Sequence, residues 1–147
     1  MISLTVISVY IIVCLILFGL TPSLSATHYK WLEKWKFWGY GIFPTTMLTW
    51  AILVIEENPE LFWGGFGIFF VGIYCMFEDK KHKQIGIIHY VGALVGIGYM
   101  MYIVGLWYWP LILIWTILSV ISLFSKYRVY IIEILAIIVL YIYKIGA

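Results

Sequence analysis

Six of the seven acidic residues fall in polar stretches of the sequence, and Glu133 does not. It lies in an apolar run at 129–143, five residues after Arg128 and about 8 Å along a helix from it. An ionisable side chain in a membrane-length apolar segment is a functional hypothesis by default, because its burial is costly. Arg128 is one position off the favourable i, i+4 spacing, so a partner on another helix is expected. His89 is that expected partner, since it opens another apolar run, 85–104, at similar depth and at the same end. Ser23, Ser25, Thr27, His28, Asp79 and His82 belong to that end too. Hydroxyls, imidazole and carboxylate together can bind a polar headgroup, hold zinc or move protons. The ligand-binding candidates are therefore His89, Glu133, Ser23, Ser25 and His28. An alternative metal set is His28, His89, Asp79 and Glu133. No catalytic residue follows from spacing: the chain has no His-Glu-x-x-His, Gly-x-Ser-x-Gly, phosphate-binding glycine loop or Cys-x-x-Cys. A purely structural role, with Glu133 holding helices together and His89 hydrogen-bonded in packing, competes with each of these readings.

The elements that would position these residues are apolar and long. Of 147 residues, 65% are hydrophobic and 11% charged, and mean hydropathy is +1.05. A soluble domain carries roughly 25% charged residues to wet its surface. Lipid is thus the expected solvent, and a span takes about 20 apolar residues. The sequence predicts an all-α, polytopic membrane helix bundle forming a single transmembrane domain over 1–147. Its spans are expected near 2–20, 37–55, 61–77, 85–104, 109–124 and 129–143, with a short interfacial helix after the first. The first run has no basic residue before it and exceeds the ~7–15 residues of a signal-peptide core, so it reads as a span.

Thr21-Pro22-Ser23-Leu24-Ser25 reads as a helix stop whose hydroxyls cap the interfacial helix. Trp31, Trp35 and Trp38 in that helix are expected at headgroup level. Pro44-Thr45-Thr46 predicts a kink with threonines bonded back to the backbone. Gly92-x-x-x-Gly96 permits close helix contact. Leu106-Trp107-Tyr108-Trp109 reads as a tight aromatic turn, and Cys14 and Cys75 as packed free thiols.

Charge gives an orientation. Eight of the nine lysines and arginines lie in the expected loops after spans 1, 3 and 5, with Lys144 alone on the other side. The positive-inside rule puts the basic side in the cytoplasm. The expectation is a plasma (inner) membrane location with both termini outside the cytoplasm. A net charge of +2 offers no basic face for nucleic acid. The absence of a ladder of intramembrane charges argues against a proton pump or voltage sensor.

Three features together resemble a known family. They are Pro22-Ser23-Leu24-Ser25 after span 1, His89-Tyr90-Val91-Gly92-Ala93 opening span 4, and an acidic residue in span 6. The pattern is similar to the six-helix damage-regulated autophagy modulators and their bacterial relatives of unknown function, with Leu24 in place of an isoleucine. More distantly it resembles the alkaline-ceramidase-like membrane hydrolases. That second resemblance implies zinc held by three histidines with an aspartate and a serine nearby, matched here by type alone to His28, His82, His89, Asp79 and Ser23. The leading expectation is a protein without a cofactor that binds membrane lipid or a membrane partner at the cytoplasmic end. The alternatives are a zinc-dependent lipid hydrolase and a homo-oligomeric pore.

Overall fold

A computed structural model describes residues 1–77 and 83–146, and their side chains except at 36–39, 75–77 and 83–86. The loop carrying Asp79 and His82 lies outside the described residues. Those described form an all-α chain. Its helices are α1 (Ile2–Phe18), α2 (Ala26–Lys34), α3 (Lys36–Glu57), α4 (Phe62–Phe77), α5 (Lys83–Trp107), α6 (Trp109–Ser122) and α7 (Arg128–Gly146). A single 3-10 turn, Pro59–Leu61, precedes α4. Among the described residues, two segments are long and apolar enough to cross a membrane, Ile87–Trp107 and Arg128–Gly146. Ile2–Phe18, Pro59–Tyr74 and Trp109–Ser122 are shorter apolar helices. At 1.5 Å per residue α5 runs about 37 Å and α6 about 21 Å.

The helices pack largely in chain order: α3 against α1, α2 and α4, α4 against α5, and α6 and α7 against α5 and each other. α4 and α5 approach closely where Gly64 and Gly67 face Gly92 and Gly96. A Cβ added to Gly67 would stand 2.6 Å from Gly92 O and from Gly96 Cα. Backbone lies directly on backbone there, as small residues in membrane helices allow.

Several local expectations take a definite form. α3 runs unbroken through Pro44, and Thr46 Oγ1 donates to Ile42 O at 2.8 Å. Only Tyr108 separates α5 from α6, with Pro110 in the first turn of α6, where a missing N–H costs nothing. Trp31 is buried, edge-on to Phe18 and stacked on Trp35. Its ring belongs to the core because α2 lays its Thr27, His28 and Trp31 face inward and leaves Lys30, Glu33 and Lys34 outside. Cys14 is a buried free thiol beside Tyr10.

At the end of the bundle away from α2, Glu57 gathers a cluster. Its carboxylate accepts from Ser3 N at 2.9 Å and Ser3 Oγ at 2.7 Å, and pairs with Lys144 and the Met1 ammonium. α1, α3 and α7 are thereby joined at one point.

Candidate functional site

The segment between α1 and α2 is short, polar and held by its own hydroxyls. Thr21 Oγ1 donates to Ser23 O at 2.8 Å, and the Ser23 and Ser25 hydroxyls share a hydrogen bond of 2.9 Å. Ala26 N donates to Ser23 Oγ at 3.1 Å and to Ser23 O at 3.2 Å, so Ser23 serves the first amide of α2 with both its oxygens.

Two long-range bonds fasten this segment to α7. Tyr130 N donates to Pro22 O at 3.2 Å, and Leu24 N donates to Glu133 Oε2 at 2.7 Å. Tyr130 is the third residue of its helix, where a backbone N–H has no partner within the helix. Glu133 thus finds a backbone amide of the α1–α2 segment on its carboxylate. Replacing it with alanine would leave the Leu24 amide unsatisfied, at a cost of about 1–3 kcal/mol. Glu133→Gln keeps an accepting oxygen and should restore most of that loss. Thermal melting of the two variants beside the wild type checks this. Equal melting of the alanine variant and the wild type would mean that the bond contributes nothing.

Around this junction lies a vestibule of about 400 Å³. It is lined by Ser23, Ser25, His89 and Glu133, with Tyr29, Tyr74 and Tyr90 among the other wall residues. Four of the five ligand-binding candidates, from three separate parts of the chain, therefore share one cavity. His89 lies 5.0 Å from Tyr74 and 5.8 Å from Tyr90, ring to ring. Nothing in the sequence marked the three tyrosines, because an aromatic residue near a helix end reads as an ordinary interfacial anchor. His28 is placed elsewhere. It is buried in an aromatic nest with Tyr29, Tyr40 and Phe43 and is not among the lining residues.

A second cavity adjoins the first. It is a narrow, apolar slot of about 50 Å³, running between α3, α4, α5 and α7. Ser25, Ala93 and Glu133 line both spaces, and we call this shared wall the throat. Phe43, Met47, Ile97, Met101, Ile137 and Leu140 are among the slot's walls. From Glu133 to Leu140, and from Ala93 to Met100, the walls extend about 10 Å at the helical rise.

Among the described residues, no three His, Cys, Asp or Glu side chains come together in a way that could hold a metal ion. Of the alternative metal set, His89 and Glu133 share the vestibule, His28 stands apart from it, and Asp79 lies outside the described residues. What the described groups can do is accept and donate hydrogen bonds around a polar head while an apolar slot opens behind it. Comparison of the chain with known family models, curated proteins and solved structures found no match.

Proposed function

We propose that this chain is a six-span membrane protein that holds a membrane amphiphile, its head in the vestibule and its tail in the slot. The observation that carries this reading is that Ser25, Ala93 and Glu133 line both cavities, which puts a polar space and an apolar one side by side. The vestibule falls within the ~300–1,000 Å³ usual for small-molecule sites. The slot has room for about four water-sized groups in a row, by the ~10–15 Å³ that each needs. Methionines 47, 100 and 101 line it, and such flexible, polarisable side chains re-pack around a guest.

In this reading α1, α3, α4, α5, α6 and α7 cross the bilayer and α2 lies along its surface. The apolar side chains left exposed on α1, α5 and α6, among them Ile16, Leu94 and Ile121, then face lipid tails. Eight of the nine basic residues fall in the sequence stretches expected as loops after spans 1, 3 and 5, which the positive-inside rule assigns to the cytoplasm, leaving both termini on the far side.

Ala93→Phe tests the reading by filling the throat. Native mass spectrometry of protein purified in mild detergent should find a retained lipid or other amphiphile on the wild type. Its occupancy should fall at least several-fold in a variant with an unchanged helical circular dichroism spectrum. Equal retention by both proteins, or no retained amphiphile on the wild type, would overturn the reading.

A further inference from the structure

The amphiphile reading leaves open which headgroup the vestibule selects, and the wall composition narrows it. Among the described residues, the vestibule walls carry one carboxylate, Glu133, and no lysine or arginine. This is unexpected at the basic end of the chain, where lysines are the commonest charged residue. Lys30, close in sequence to the lining residue Tyr29, is turned to Glu33 at 3.1 Å. A phosphate or carboxylate head entering here would meet Glu133 at the throat with no opposite fixed charge among the described wall residues, and a desolvated anion without a partner is costly. A cation would meet the reverse conditions. Glu133 supplies the counter-charge that a desolvated cation requires. Tyr29, Tyr74 and Tyr90 put three aromatic rings on the walls, and ring faces attract ammonium groups. The throat position of Glu133 also fixes the geometry of the guest: a charge held there leaves about 10 Å of apolar slot for whatever chain is attached to it.

We infer that the occupant is a cationic amphiphile, an amine or quaternary ammonium head on a single alkyl chain, with the ammonium at Glu133 among the tyrosines and the chain between α3, α5 and α7. The inference rests on the amphiphile reading above and adds the sign of the head charge and the number of chains. Two chains would need a second slot through the same throat. Selectivity for the cation comes from charge and ring faces together, and affinity from the tail.

The test is a competition among three probes of equal chain length, added together to protein in neutral maltoside micelles and read by native mass spectrometry. The probes are dodecyltrimethylammonium, laurate and monolaurin. The wild type should carry the ammonium probe at least tenfold above the other two. Glu133→Gln, which keeps an acceptor for Leu24 N, should bring the three probes to parity, with its helical circular dichroism spectrum showing that it is folded. Excess tetramethylammonium should lower the cation's occupancy on the unmutated protein, which makes the test independent of any variant's folding. Laurate or monolaurin bound as well as the cation would overturn the charge assignment and leave the amphiphile reading standing. No adduct of any probe on the wild type would overturn both.

Discussion

Gly67→Val is expected to cost about 3 kcal/mol or more, the upper end for forcing extra carbon into a packed interface. The reason is the absence of anything that can yield. A Cβ on Gly67 would meet Gly92 O and Gly96 Cα at 2.6 Å, and these are main-chain atoms of the facing helix. Relief would require α4 and α5 to separate along their length. α5 carries His89 and Ala93, so the same separation would deform the vestibule and its throat. Thermal unfolding in detergent, followed by helical circular dichroism, measures the first effect, and retained amphiphile the second. Gly98→Ala is the control, since a Cβ there meets nothing within 4 Å. A helical glycine replaced by alanine in open space should gain about 0.5–1 kcal/mol. If both variants melted with the wild type, backbone-to-backbone contact of α4 and α5 would be refuted.

Lys144→Met is expected to destabilise by about 3 kcal/mol, the low end for removing one member of a buried ion pair. The side chains of Lys144 and Glu57 are 10% and 17% exposed, so the carboxylate left behind is poorly solvated. Ser3 and the Met1 ammonium remain on it and keep the loss at that end of the range. Glu57 lies beyond the span expected at 37–55. Burial pulls its carboxyl up, but Lys144, the N-terminal ammonium and Ser3 more than reverse this and hold it well below the usual carboxylate range. A carboxyl lowered in the folded state stabilises fully above its unfolded value of about 4.3 and less as pH falls below that. Melting temperature should therefore drop between pH 5 and pH 3 in the wild type and drop less in Glu57→Gln. The double variant Lys144→Met/Glu57→Gln should recover part of the loss of Lys144→Met. A double variant no more stable than the single one would show that the stranded charge is not the cause.

Much of the helical layout was legible in the sequence because apolar runs punctuated by Pro22, Pro59, Pro110 and charged clusters leave few other ways to place helices. Predicted runs at 109–124 and 129–143 correspond to α6 at Trp109–Ser122 and α7 at Arg128–Gly146. The one boundary without a charge, near 104–109, was the least defined, since α5 continues to Trp107 and leaves only Tyr108 outside a helix. Trp31 shows what periodicity misses. In a nine-residue helix, which aromatic ring turns inward depends on the neighbour it meets, here Phe18 and Trp35. Residue type and depth were enough to single out Glu133 and His89, which share a cavity wall. The amide bonded to Glu133 was not legible, because Leu24 offers its main chain and any residue type has one. His28 was grouped with Ser23 and Ser25 by sequence proximity, yet its ring packs against Phe43 and Tyr40 of α3 and lines neither cavity. The slot was invisible for a related reason: its walls are ordinary apolar residues from four helices, and only their mutual distances leave a gap.

The bond between Leu24 and Glu133 joins positions 109 residues apart. During synthesis, at about 5–20 residues per second, the segment after α1 therefore waits roughly 5–20 s for the helix that carries Glu133. Until then one wall of both cavities does not exist. On the amphiphile reading, a ribosome-stalled chain that ends before α7 should retain no guest.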